Sequence, residues 1–412
     1  MTSRGELMSR RARWTAPLVA VLLLGTVSSQ DTAISAGIVS RIIDSPAGDA
    51  TAEPNLTRGG DGLLYLSWIG ESEVGEHELY YSRRDSSTWS SPVRIASGET
   101  WFVNWADFPA IATIDGQVML ASWLEKTGLG TYAYGVRMSL SGDGGKGWEA
   151  PFFVHRDSTP TEHGFVSLTT VAENRFMAVW LDGRETVNEN SAMTLRAAVV
   201  GSDGELREES LLDPRVCDCC QTSAATTGDG SIVVVYRDRG DDETRDISIT
   251  RFTDDVWTTP TTVHPDGWKI AGCPVNGPAV AARDSIVAVA WFTVGSQEVP
   301  VVNVAFSRDH GQTFAPPMRV DNGDPLGRVD IVFSDDSSVV VCWIENGDQD
   351  SHLMIRRACL DEYMSRPVAV TSISPERESG FPHLGANDEE VILTWTDTGH
   401  QKGVKTALIT AD

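Results

Sequence analysis

Asp61-Gly62-Leu63-Leu64-Tyr65-Leu66-Ser67-Trp68 is a turn followed by an apolar run that ends on an aromatic residue. The pattern returns six more times, ending at Trp123, Trp180, Tyr236, Trp291, Trp343 and Trp395. These aromatics stand about 52 to 57 residues apart, too far for one hairpin and right for a unit of four short strands. Seven such units in a row predict an all-β chain folded as a β-propeller with seven four-stranded blades.

The other strands recur at fixed offsets around each aromatic. Upstream lie stretches such as Phe108-Pro109-Ala110-Ile111 and Phe381-Pro382-His383-Leu384, and downstream runs such as Leu79-Tyr80-Tyr81-Ser82 and Val304-Ala305-Phe306-Ser307. A fourth strand follows a proline, as in Pro92-Val93-Arg94-Ile95, Pro260-Thr261-Thr262-Val263, Pro317-Met318-Arg319-Val320 and Pro367-Val368-Ala369-Val370. The last unit stops after Leu408-Ile409 without one. Ile38-Val39-Ser40-Arg41-Ile42-Ile43 stands alone near the chain start and reads as the missing strand. Pairing it with the C-terminal strands closes the last blade and removes a free sheet edge. One domain from residue 37 to 410 follows, with no low-complexity linker to divide it.

Arg10, Arg11 and Arg13 precede the apolar run Leu18 to Leu24 and small residues through Ser29, so residues 1–30 read as a signal peptide. An uncleaved N-terminal anchor is the alternative. Either way the domain is expected to be exported, periplasmic or extracellular. The formal net charge of −25 sets the surface against nucleic acid and anionic lipid as partners.

Two units carry a further local pattern. Ser307-Arg308-Asp309-His310-Gly311-Gln312-Thr313-Phe314 matches S-x-D-x-G-x-T-[WF], and Ser141-Gly142-Asp143-Gly144-Gly145-Lys146-Gly147-Trp148 matches it with Gly147 in place of Thr. Both are read as tight turns in which the Asp carboxylate accepts backbone N–H groups and Gly takes a positive φ. Ser82 to Trp89 and Thr253 to Trp257 look like eroded copies. On these motifs the chain resembles the sialidase-like superfamily of Asp-box (bacterial neuraminidase repeat) propellers over nearly all of the domain. That resemblance implies a glycan-active or glycan-binding protein, and a six-bladed sialidase-type ring is the alternative to seven blades. Sialidases of the superfamily open with Arg-Ile-Pro, whose Arg clamps the substrate carboxylate. Here the corresponding stretch is Ala52-Glu53-Pro54-Asn55-Leu56, with a carboxyl group where the guanidinium belongs. A sialic acid substrate is therefore not expected.

In a propeller the innermost strand of each blade starts at one rim of the central channel, so the residues before those strands converge on one place. They include Glu53 and Asn55; Trp105 and Asp107; Glu162 and His163; Gln221; Asn276; Arg328 and Asp330; and His383. Loops after the aromatic strands add Asp182, Arg184, Arg237, Asp238, Arg239, Arg245 and Asp246. Trp105, Asp107, Arg184, Arg237, Asp246, Asn276, Arg328, Asp330 and His383 are the candidate ligand-binding residues. Asp107 with Glu162 or Asp330 could serve as general acid and base of a glycoside hydrolase. A lyase would instead use a His or Tyr base with an Arg that neutralises a uronate, for which His163, Tyr236 and Arg237 are the candidates.

Cys217-Asp218-Cys219-Cys220 at the start of the fourth unit and Cys273 at the start of the fifth bring four sulfurs to neighbouring inner strands. Export favours oxidation: Cys217 or Cys220 bridged to Cys273, or a vicinal Cys219–Cys220 bond. The alternative is a copper or zinc site completed by His163 or His383, because thiolate and imidazole suit those ions. Three function classes thus compete: a propeller that binds or cleaves a carbohydrate or similar small molecule, a metal or redox protein built on the cysteines, and a scaffold for a protein partner.

Overall fold

Each apolar run that ends on one of the seven aromatics forms the second strand of a sheet, from Leu64–Glu71 in the first blade to Val391–Asp397 in the last. These strands are apolar on both faces, because each blade is covered by a neighbour on either side. In the first, Leu64, Leu66 and Trp68 pack against Ile392 and Val404 of the seventh blade, while Tyr65 and Ile69 pack against Ile111, Met119 and Trp123 of the second. The same division repeats around the ring. Seven clusters of buried residues fill the seven interfaces between adjacent blades.

The computed structural model describes residues 37–411 apart from 86, 173, 188–191, 297, 349, 400 and 401. The expected signal segment, residues 1–30, lies outside the described residues. Seven antiparallel sheets form seven blades, which replaces the six-bladed alternative. Their inner strands are Ala52–Arg58, Ala110–Thr113, His163–Val171, Ser223–Thr226, Ala279–Arg283, Asp324–Asp335 and His383–Ala386. In blades 1 and 4 the outermost strand is split into two short pieces. In blade 7 the outer position is taken by Ile38–Ile43, which pairs antiparallel with Gly403–Ala411 in a register that sets Ile38 opposite Ala411 and Ile43 opposite Thr406. Among the described residues no helix is long and apolar enough to cross a membrane.

The seven aromatics are buried, and several tie down their polar tips. The indole N–H of Trp180 donates to Asp182 Oδ2 (2.8 Å), that of Trp291 to Asp266 Oδ2 (2.7 Å) and that of Trp343 to Glu345 Oε2 (2.8 Å). The Tyr236 hydroxyl donates to Asp213 Oδ2. A large apolar body and a satisfied donor together make these positions anchors of the blade interfaces. The turn at Ser307–Phe314 is held as its residues require: Asp309 Oδ1 accepts the N–H of Thr313 (2.9 Å) and the Ser307 hydroxyl (2.7 Å), and Gly311 has φ +79°. Asp143 accepts the N–H of Gly147 at 2.9 Å in the matching turn of blade 2.

A chain starting at Ser45 would leave Gly403–Ala411 as an unpaired edge and strip Ile38 from its interface. It is expected to melt several degrees below a chain starting at Ala36, with broader unfolding and self-association through the exposed strand. Equal melting curves for the two chains would contradict this.

Candidate functional site

The inner strands enclose a channel of about 470 Å³, walled by polar side chains that include Asn55, Ser167, Thr169, Thr222 and Thr226 and by Asp330 and His383. At the end where the inner strands start, aromatic rings gather at the channel. Phe381 stacks on Trp105 (centroids 5.8 Å apart, planes at 19°), and Phe108 meets the His383 ring edge-on at 4.2 Å. Gln221 bridges blades across this end: its Nε2 donates to Ala106 O (2.6 Å) and its Oε1 accepts the Gly277 N–H (3.0 Å). The rim thus carries aromatic rings among the polar residues expected there from the sequence. Most of those polar residues are consumed by backbone groups.

Arg237 is fully buried and donates to the carbonyls of Asn276, Arg245 and Phe292, at 2.8, 2.6 and 2.6 Å, clamping blade 4 to blade 5. Asn276 accepts the Arg328 N–H (2.7 Å) and donates to Leu326 O (3.2 Å). Arg328 donates to Pro375 O, Glu376 O, Gly380 O and the Ser379 hydroxyl, with its guanidinium 4.9 Å from the Trp105 ring centroid. Asp246 accepts the N–H groups of Gly267 and Trp268, and Arg184 pairs with Asp182 and Glu209. Tyr236, grouped with His163 and Arg237 as a lyase candidate, sits inside the interface of blades 3 and 4 with its hydroxyl donating to Asp213. His163 is buried against His155 (ring centroids 4.1 Å) and hydrogen-bonds Asp157 Oδ2 at 3.0 Å. Asp330 and His383 do reach the channel. Asp330 Oδ2 accepts the Leu384 N–H (2.7 Å) and lies 3.4 Å from His383 Nδ1, while His383 Nε2 is buried without a hydrogen-bond partner.

Behind the aromatic layer the sequence hides a row of acids. Glu53 and Asp107 border a small cavity under Trp101, Phe102 and Phe108. Burial, reinforced by the neighbouring Asp107 charge, pushes Glu53 up to about 8. Burial also pushes Asp107 up to about 8, against the Phe165 N–H that donates to its Oδ2 at 2.8 Å. Glu162, next in the row, is raised to about 7 by burial and accepts the Tyr134 hydroxyl at 2.6 Å. Glu53 is therefore largely protonated at neutral pH and offers an anion no cation to pair with. The fit is tight: a Cβ at Gly164 would lie 2.2 Å from Asp107 Oδ2.

Backbone strain marks the same places. Glu53, Phe165 and Arg328 have φ of +53°, +55° and +56°, each inside a bulge at the start of an inner strand. Non-glycine residues in this region cost about 1–3 kcal/mol each and persist where the surroundings over-determine them. The bulges, Tyr134 and the rim aromatics Phe108 and Phe381 were missed as site features. The repeated Phe-Pro lead-in of two inner strands was the available signal.

The cysteines pair differently from the expectation. Cys219, not Cys217 or Cys220, is bonded to Cys273, with Cα atoms 6.0 Å apart, and no vicinal bond forms. Cys217 and Cys220 are buried free thiols with sulfurs 3.0 Å apart. Among the described residues the potential metal ligands gathered there are Cys217, Cys219 and Cys220, within 4.8 Å of one another, with no histidine. His163 and His383 are committed to Asp157 and to the channel wall, and the disulfide removes Cys219 from any copper or zinc ligand set. That donor set does not fit the metal site expected from the sequence.

No family model and no curated protein matches the sequence. Solved structures match the fold. The BP39L lectin from Burkholderia pseudomallei superposes with a TM-score of 0.60 at 12% identity, over 88% of this chain and 96% of the lectin. The polysaccharide lyase Uly1 gives 0.53 at 9% identity, over 90% and 91%. A ulvan lyase of a further polysaccharide lyase family gives 0.53 at 12%, over 89% and 95%. At these identities the likeness is one of β-propeller architecture.

Two outcomes follow. Glu53 and Asp107 keep protons that the unfolded chain loses near its ordinary values of 4.5 and 3.8. Their contribution to stability is complete below those values and is lost as pH rises through about 8. The melting midpoint should thus fall over that window, and Glu53→Gln with Asp107→Asn should flatten the fall. An unchanged pH profile would contradict the shared burial. Separately, Cys273→Ser should cost about 2–4 kcal/mol in denaturant unfolding by freeing the chain between blades 4 and 5.

Proposed function

We propose that the protein is an exported propeller of the sialidase-like, Asp-box type that binds a carbohydrate in its channel, at the end where the inner strands start. The observation that carries this reading is the channel itself. Its volume of about 470 Å³ suits a small oligosaccharide, and its wall of hydroxyl and amide groups ends on aromatic rings and the Asp330–His383 pair. Hydroxyls and aromatic faces complement the two surfaces of a sugar ring. The structures that share the fold, a lectin and two polysaccharide lyases, support the same ligand class. Export is supported by the Cys219–Cys273 bond.

Cleavage is a second reading, favoured by the acid row alone. A protonated Asp107 or Glu53 beside the Tyr134–Glu162 pair has the makings of a general acid next to a proton-accepting partner. Those groups lie behind Phe102 and Phe108, so cleavage requires the segment from Trp101 to Phe108 to lift, whereas binding in the channel does not.

Calorimetry on the oligosaccharides retained by a glycan array tests the first reading. Asp330→Asn and His383→Ala should each weaken binding about tenfold or more, about 1.4 kcal/mol. An array with no neutral or uronate-bearing glycan retained would sink it. Release of reducing ends that Asp107→Asn abolishes would establish the second, and simple α-sialosides should stay intact under either.

A further inference from the structure

The carbohydrate reading leaves the sulfurs without a task. They are not equivalent. Cys273 lies in an exposed stretch at the start of blade 5, so the Cys219–Cys273 bond can be reached from solvent. Behind it, shielded from water, are the free thiols of Cys217 and Cys220, 3.0 Å apart. All three sulfurs of Cys217, Cys219 and Cys220 lie within 4.8 Å of one another, so a thiolate on Cys217 has a disulfide sulfur in reach.

The surroundings favour that thiolate. Arg245 is buried, with its Nη2 paired to Glu243 Oε2 at 2.7 Å; its Nε and Nη1 have no hydrogen-bond partner, so that part of the guanidinium remains to interact with the nearby Cys217 sulfur. The Cys220 thiol hydrogen-bonds Cys217, which with the nearby Arg237 and Arg245 charges brings Cys217 down to about 6, while burial raises Cys220. A thiolate held beside fixed cations and facing a disulfide is the arrangement that thiol–disulfide exchange requires.

We propose that Cys217, Cys219, Cys220 and Cys273 form a relay that passes two electrons from the buried Cys217–Cys220 dithiol, through the exposed disulfide, to disulfides in solution. The Cys217 thiolate attacks Cys219 Sγ. A Cys217–Cys219 bond forms, the Cys219–Cys273 bond breaks, and Cys273 leaves as a hydrated thiolate. Cys273 attacks an external disulfide RSSR, forming a Cys273–SR bond and expelling one RS⁻. Cys220 then loses its proton to solvent and attacks Cys217, forming the Cys217–Cys220 bond and releasing Cys219. Cys219 attacks Cys273, restores the original bond and expels the second RS⁻. The protein dithiol is oxidised, the external disulfide is reduced to two thiolates, and one proton is released.

Oxidised glutathione added to unreduced, folded protein, followed by acid quench and mass mapping, tests this. Wild-type protein should carry glutathione on Cys273 early, then show a new Cys217–Cys220 bond with Cys219–Cys273 restored. Cys217→Ser should leave Cys219–Cys273 intact with no adduct on Cys273, while Cys359→Ser should behave as wild type. The wild-type map decides the matter even if Cys217→Ser fails to fold. Adducts confined to Cys217 or Cys220, no Cys217–Cys220 bond, or protein isolated with all four thiols reduced around a metal ion would each overturn the relay.

Discussion

Every blade of this propeller is apolar on both faces, and neither face is covered until the ring is complete. Val233 and Val235 of blade 4 pack against blade 5, while Ile232, Val234 and Tyr236 on the same strand pack against blade 3. Alternation along one strand thus serves two interfaces at once, and the loss of one large side chain is felt by two neighbours. Blade 7 obeys the same rule, with Ile38 from the chain start joining Leu393, Trp395 and Ile409 in its interface with blade 6.

That constraint decides where chemistry can sit. The middle strands spend their side chains on packing, so the channel wall and the loops at the strand starts are what remains for polar groups. Even there most of them are drawn into holding blades in place. Arg237 and Arg328 look from their sequence positions like ligand-binding cations, yet each is saturated mainly by carbonyls from neighbouring segments. A guanidinium with five donors suits such a clamp, since several blade ends present unpaired carbonyls there. Asp330 and His383 escape this fate in part and face the channel.

The proposed carbohydrate site and the sulfur cluster meet at Gln221. It follows Cys220 directly in the chain, and its amide reaches the Ala106 carbonyl of the aromatic layer and the Gly277 N–H beyond Cys273. A change in the pairing of Cys219 and Cys273 therefore lies two residues from the side chain that bridges blades at this end of the channel. The two functions proposed for this end of the molecule share a mechanical element.

The sequence by itself determined the architecture. The spacing of Trp68, Trp123, Trp180, Tyr236, Trp291, Trp343 and Trp395 counts the blades, because a continuous apolar run ending in a large aromatic is a local requirement of a strand covered on both faces. It also located the Asp turns at Asp143 and Asp309, whose hydrogen bonds span only a few residues. Only the tertiary structure decided which sulfur Cys273 bonds, since three cysteines within four positions differ in direction and not in distance along the chain. It likewise decided that Glu53, Asp107 and Glu162 form one buried row and that Phe108 and Phe381 meet at the rim. Those groups come from different blades, and their protonation depends on burial, a property that no stretch of chain carries until the ring has closed around it.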